Sequence, residues 1–168
     1  MVLFMLRTHN LGELNINNVG EKVILSGWIQ RIRNLGSMQF IDLRDQFGIT
    51  QIVINKDDIL EKAEKLVTET VIKIEGIVLE RSNKNSKIPT GEIEVEVHKL
   101  SILGKCEPVL PFEINSEKVD RLSIREDLRL EYRFLDLRNE NIHKNILLRS
   151  EIMKTIRNKM DELGFAEI

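Results

Sequence analysis

GWIQRIRNLGSMQFIDLRD, residues 27–45, reads as two β-strands joined by a tight turn at Asn34-Leu35-Gly36-Ser37. Strand side chains alternate between faces with a period of two. In the second strand Ile41 and Leu43 therefore point one way, and Met38, Phe40, Asp42 and Arg44 the other. A Phe that shares a face with Asp and Arg is not an obvious core residue. In the first strand Arg31 and Arg33 share a face with each other. A flat aromatic beside arginines suits an unpaired base, held by stacking while its phosphates are held by charge.

Working outward, four further segments complete a pattern. After Asp45-Gln46-Phe47-Gly48, a turn with glycine in place, Ile49–Asn55 is extended. Val71–Arg81 is a fourth strand and Glu92–Leu103 a fifth, and the first is Val23–Arg33. In the fifth, Ile93, Val95 and Val97 alternate with Glu94, Glu96 and His98, which predicts one wet face. Between the third and fourth strands Ile59, Leu60, Ala63, Leu66 and Val67 fall at helical spacing, with Asp57 or Asp58 as cap and Glu61 and Lys65 as an i,i+4 pair. The order strand, strand, strand, helix, strand, strand is that of the OB-fold. The face and loops of this small five-stranded barrel commonly bind single-stranded nucleic acid. The helix is expected to plug one end. The loop 82–90, rich in Lys and Asn and carrying Pro89, joins strands four and five, a common ligand-binding loop in this fold.

Beyond Leu103 the texture changes. Pro108 and Pro111 interrupt regular structure and suggest a hinge. Residues 113–140 are highly charged. Arg121, Arg125, Arg129 and Arg133 repeat every four residues, but Glu126, Asp127, Glu131 and Asp136 interleave with them. An ion-paired, solvated hinge is favoured over an RNA-backbone ladder. A helix over Asn141–Leu163 carries an apolar stripe of Ile142, Ile146, Met153, Ile156 and Met160, with Gly164 at the C-cap. A single helix cannot bury its own stripe, so it needs a partner. The expected architecture is mostly β with helices: an OB-fold barrel over 1–104, a hinge over 105–140, and a C-terminal helical segment over 141–168.

Bulk properties narrow the function classes. The 168 residues are 42% hydrophobic and 31% charged, with a formal net charge of −2, so a nucleic-acid site has to be a local patch on a near-neutral protein. The single Cys106 excludes an intramolecular disulfide and fits a reducing compartment; it reads as an incidental hinge residue. MVLFML has no basic flank or cleavage site and is too short to span a bilayer, so it reads as a start-site extension ahead of Arg7, with Met5 as the alternative start. His9, His98 and His143 have no Cys or carboxylate at ligand spacing, so no metal is assigned. No Ser-His-Asp set, nucleophile elbow or P-loop is present in the sequence.

RTHNLGEL near the start, GWIQRIRNLGSMQFIDLRDQFGITQIVI, TGEIEVEV, and LEYRFLDLR followed by a long helix ending in GFAEI form a specific set. On these segments the chain resembles the N-terminal part of bacterial-type aspartyl-tRNA synthetases, from Arg7 to Ile168. Asparaginyl- and lysyl-tRNA synthetases share the architecture and are the near alternatives. The resemblance implies an anticodon-binding OB domain, a hinge, and a class II catalytic domain. ATP and Mg²⁺ act in that catalytic domain of the full-length enzyme, which is expected to be a cytoplasmic homodimer. It also implies that residues 1–168 end within the first class II motif, so that this fragment holds no catalytic residue or cofactor and is inactive alone.

The implied partner is the anticodon loop of tRNA(Asp). The family position of Phe40 stacks on the middle anticodon base, and the face argument reaches the same residue. Packing under a loop or against the barrel exterior is its ordinary alternative. Gln51, on the third strand facing away from Thr50 and Ile54, offers a donor and an acceptor that suit a uracil edge. Glu94, on the wet face of strand five, matches the family glutamate that takes the first base. Without the resemblance both would read as solvated strand residues. Arg31 and Arg33 would hold phosphates and bases, or else pair across strands with Asp42 or Asp45. Arg81 and Asn85 flank the strand 4–5 loop, where the chain fits the family pattern least well. Two other classes stay open: a free-standing RNA-binding module, and an OB domain for protein or sugar partners. A free-standing module has no need for an apolar stripe that stops in mid-motif, whereas the aromatic content (six Phe, one Tyr, one Trp) does not reject the other.

Overall fold

The computed structural model describes residues 6–55, 57–114 and 123–167, with only the backbone of Asp57. MVLFM at the start, Arg121 and Ile168 lie outside the described residues. The chain divides into two compact units, Met1–Pro108 and Val109–Ile168.

In the first unit, β1 (Lys22–Leu35), β2 (Met38–Arg44), β3 (Ile49–Ile54), β4 (Val71–Glu80) and β5 (Ile93–Gly104) close into a barrel in the order β1-β2-β3-β5-β4. All pairings are antiparallel except β3 with β5. The β1–β2 hairpin pairs Leu35 with Met38 across a two-residue turn, where Gly36 takes φ +60°. Glycine at the first turn position is what a type II′ hairpin requires, since a Cβ is disfavoured there.

The barrel interior is aliphatic. Val23, Leu25, Ile29, Ile41, Leu43, Ile52, Ile54, Ile72, Ile74, Val78, Ile93, Val95 and Val97 form one buried cluster. The period-two patterning predicts this for β2 and β5. In β1 it does not hold throughout. The pairing register shifts between Ile29 and Arg31, so Gln30 sits in a β-bulge. Before it, the odd residues Val23, Leu25 and Ile29 face the core; after it, Ile32 packs against the core. Uninterrupted alternation from Val23 would point Arg31 and Arg33 inward. The bulge turns them out.

Both barrel mouths are filled. The helix α1 (Asp57–Ala63) contributes Ile59 and Ala63 to the core, and Leu66 follows from the turn beyond it. It is shorter than the predicted segment: Asp58 lies inside the helix, and Leu66 and Val67 lie past its end. The side chain of Asp57 lies outside the described residues. Leu11 and Leu14, from RTHNLGEL, are also fully enclosed in the core. Asp45 ties that segment to the β2–β3 turn, accepting from the backbone N–H groups of Leu11 (3.0 Å), Phe47 (2.7 Å) and Gly48 (3.0 Å). Gly12 lies so close to the Phe47 carbonyl that a Cβ would overlap it.

The second unit contains α2 (Glu126–Glu131), α3 (Arg133–Asp136) and α4 (Glu140–Glu162). The described arginines of the ladder are ion-paired as predicted: Arg125 with Asp127, and Arg129 (3.3 Å) and Arg133 (2.6 Å) with buried Asp136. Asn139 caps α4, accepting from Asn141 N–H (3.1 Å) and Ile142 N–H (3.4 Å). At the other end Gly164, φ +82°, closes a Schellman motif: its N–H reaches Asp161 O (3.0 Å), and Phe165 N–H reaches Met160 O (3.0 Å). Ile146, Met153, Ile156 and Met160 of the predicted stripe are exposed within this chain.

Candidate nucleic-acid interface

The outer wall of β1, β2, β3 and β5 carries most of the predicted site. In an antiparallel ladder, opposed residues share a face. Arg31 opposes Asp42, and Asp42 opposes Gln51. Arg33 opposes Phe40, Phe40 opposes Val53, and Val53 is paired with Glu96. Ile52 is paired with Val95, which sets Glu94 beside Gln51 one step back along the two strands. Two parallel rows result. One reads Arg31, Asp42, Gln51, Glu94; the other reads Arg33, Phe40, Val53, Glu96.

Phe40 is half-buried and stands outside the barrel core. Its cross-strand neighbour Val53 is buried too, although it does not belong to the core cluster. The sequence offers both a base platform and an exterior packing residue for Phe40, and its position on the wall suits either.

A continuous hydrogen-bonded chain links the rows. Arg33 Nη2 donates to Asp42 Oδ1 (2.8 Å) and to Gln51 Oε1 (3.0 Å). Gln51 Nε2 donates to Glu94 Oε2 (2.7 Å). One step along, Asn55 Nδ2 donates to Glu96 Oε1 (2.9 Å). Gln51 is only 3% exposed, so a base reaches it edge-on at most. The cross-strand pair weighed for the arginines is therefore formed by Arg33 with Asp42. Asp45 instead meets Arg7 at 3.5 Å. Arg31 is exposed and has no ion-pair partner among the described residues.

The β4–β5 loop presents Arg81 and Asn85. Arg81 N–H bonds Glu92 O (2.9 Å) and Asn85 N–H bonds Gly91 O (2.9 Å), so the loop is braced across its neck. Asn85 Oδ1 accepts from Lys87 N–H (3.0 Å), an Asx-type turn that holds this side chain within the loop. A Cβ at Gly91 would overlap the Asn85 carbonyl, so the neck closes only with glycine there. Beside it Lys84 bridges Glu80 (2.9 Å) and Glu92 (3.6 Å), and the bond to Glu80 and its charge raise the lysine above its ordinary value.

Sequence reasoning missed two features. The first is the extension of the Arg33–Asp42 pair to Gln51 and Glu94; the sequence offers the pair itself as an alternative for the arginines, but not its link to Gln51. The second is the pair Arg44–Glu69 (2.6 Å), buried on the wall with the Arg44 guanidinium 5.9 Å from the Trp28 ring centre. Glu69 sits at φ +65°, a left-handed conformation that sequence alone did not flag. Among the described residues no group of three or more His, Cys, Asp or Glu is arranged to hold a metal ion. No helix there is long and apolar enough to cross a membrane.

Comparisons with known proteins agree with the barrel fold. The family model described as "OB-fold nucleic acid binding domain" matches residues 23–103, and "tRNA synthetases class II (D, K and N)" matches residues 125–168. An aspartate–tRNA ligase of Streptomyces coelicolor is 47% identical over 96% of the chain, and one of Thermosipho africanus is 47% identical over 98%. The chain spans about a quarter (27%) of the length of each of these relatives. Among solved structures, the aspartyl-tRNA synthetase of Entamoeba histolytica superposes with a TM-score of 0.84 at 21% identity, covering 95% of this chain and 38% of that one. The asparaginyl-tRNA synthetase of Pyrococcus horikoshii superposes with a TM-score of 0.80 at 26% identity, covering 98% and 37%. The chain belongs to the aspartate–tRNA ligase family, of which it carries the OB-fold domain and a segment of the class II module.

Proposed function

We propose that this chain recognises the anticodon loop of tRNA(Asp) on the outer wall of its barrel, as the N-terminal part of an enzyme that joins aspartate to that tRNA. The observation that carries this reading is Phe40 on the same wall as the Arg31–Asp42–Gln51–Glu94 row. Phe40 stacks on the middle base, uracil. Gln51 meets that base's edge. Glu94 accepts from the N–H groups on the Watson–Crick edge of the guanine that precedes it. Arg31 and Arg81 hold phosphates, Arg33 organises the wall, and Asn85 shapes the loop that borders the site.

Residues 1–168 supply recognition in this scheme and none of the chemistry of aspartate activation. In this reading ATP and Mg²⁺ are assigned to the class II module of the full-length enzyme. The exposed stripe of α4 is assigned to the dimer core of that module, and the parent enzyme to the cytoplasm.

The test is a binding panel. Anticodon stem-loops with the loop bases G-U-C are compared with hairpins changed at one of these bases, by fluorescence anisotropy with the 168-residue chain. The expected result is at least about tenfold tighter binding of G-U-C than of each single change, the size of one lost base contact. Equal affinities across the panel would sink the reading.

A further inference from the structure

We propose that Asp42 is a specificity-positioning residue: through Arg33 it fixes which end of the Gln51 amide carries the acceptor, and so makes this wall prefer uracil over cytosine at the middle base. The inference rests on the anticodon reading and adds a residue that touches no base.

A glutamine amide has a donor end and an acceptor end, and by itself it can rotate to exchange them. Uracil and cytosine differ in that same respect. Uracil presents an N3–H donor beside an O4 acceptor, whereas cytosine presents an N3 acceptor beside an N4–H₂ donor. An amide free to turn over serves either base equally well. An amide that cannot turn over matches one and sets donor against donor for the other.

Gln51 is held at both ends. Arg33 can only donate, so it faces Oε1 at 3.0 Å. The Glu94 carboxylate accepts, so it faces Nε2 at 2.7 Å. Turning the amide over would place N–H against guanidinium and oxygen against carboxylate, in a residue only 3% exposed, where unpaired polar groups find little water. Each end retains one unused function: a second lone pair on Oε1 and a second N–H on Nε2. Those two match uracil's N3–H and O4.

What holds Arg33 in this role is Asp42. The same Nη2 that donates to Gln51 donates to Asp42 Oδ1 at 2.8 Å, using both of its hydrogens. The Arg33 side chain is 42% exposed and the Asp42 side chain 21%. A long, solvated arginine has many rotamers, and the carboxylate selects the one that meets Gln51. Removing Asp42 frees Arg33 and leaves Glu94 as the one remaining restraint on the amide among the described residues, so the bias against turning over weakens while the stacking platform stays in place.

The experiment uses the whole chain and G-U-C and G-C-C stem-loops. For Asp42→Ala the preference for G-U-C over G-C-C falls at least fivefold, while affinity for a G-U-C loop stays within about threefold of wild type. Asp42→Asn keeps an oxygen toward Arg33, and its preference falls between the two. A wild-type preference in Asp42→Ala, or an equal weakening of both loops, overturns the inference. Should Asp42→Ala not fold, Asp42→Asn decides the matter, and a wild-type preference there overturns the inference. A wild-type chain that binds no stem-loop refutes the anticodon reading itself, and this inference with it.

Discussion

Phe40 is the side chain on which the recognition reading turns. It lies outside the aliphatic cluster that fills the barrel, so truncating it leaves that core intact. Phe40→Ala is expected to weaken binding of the G-U-C stem-loop by about 1–3 kcal/mol, the typical contribution of one base stacked on an aromatic. Its thermal unfolding midpoint should stay near that of wild type, because Phe40 does not belong to the buried core cluster. Unchanged affinity, or loss of the folded state, would assign Phe40 to exterior packing instead. At this scale the sequence was legible wherever period two applied: Phe40, Asp42 and Glu94 all stand on the faces that alternation predicts. The link between Arg33 and Gln51 was not legible. Alternation places a residue on a face, but it does not say which residues of neighbouring strands stand opposite each other. Which face Arg31 and Arg33 occupy also depended on the Gln30 bulge, signalled only by the three-residue step from Ile29 to Ile32.

Among the elements, the segment before β1 holds more of the fold than its sequence suggests. RTHNLGEL has no helical or strand periodicity, and in the sequence it stands out only as a family signature. In the structure Leu11 and Leu14 are as deeply enclosed as any strand residue. The Thr50 hydroxyl donates to the Leu11 carbonyl, and Asp45 receives the Leu11 N–H, so the backbone polar groups of this irregular segment are paired where it enters the barrel. Leu11→Ala should therefore cost about 2–5 kcal/mol, the range for emptying a buried leucine site. Urea unfolding at neutral pH measures it, and a cost below about 1 kcal/mol would show that the segment only rests on the barrel mouth. The helix at the other mouth illustrates the opposite error. Its apolar spacing extended the prediction to Val67, but the chain leaves the helix after Ala63, and Leu66 reaches the core from a turn. Helical spacing reports which residues face inward, and a turn can supply the last of them as well as another helical turn would.

For the molecule as a whole, the formal net charge of −2 means that no general positive field draws RNA to the barrel. Affinity for a polyanion must then come from a few local cations, and the structure narrows them. Arg33 is already matched by Asp42, and Lys84 by Glu80 and Glu92. Arg31, and Arg81 at the neck of the β4–β5 loop, have no ion-pair partner among the described residues. Each phosphate neutralised on a single strand releases counterions worth roughly 0.7 in the slope of log K against log salt. Two such contacts predict a slope of about −1 to −2 for the G-U-C stem-loop, measured by anisotropy across a salt titration. Arg31→Ala should flatten it by roughly 0.7 while leaving the order of preference among the stem-loops unchanged, because phosphate contacts carry no base information. A slope steeper than about −4 would mean that many lysines and arginines bind the backbone together. Recognition would then be spread over the surface instead of concentrated on the wall that Phe40, Gln51 and Glu94 share.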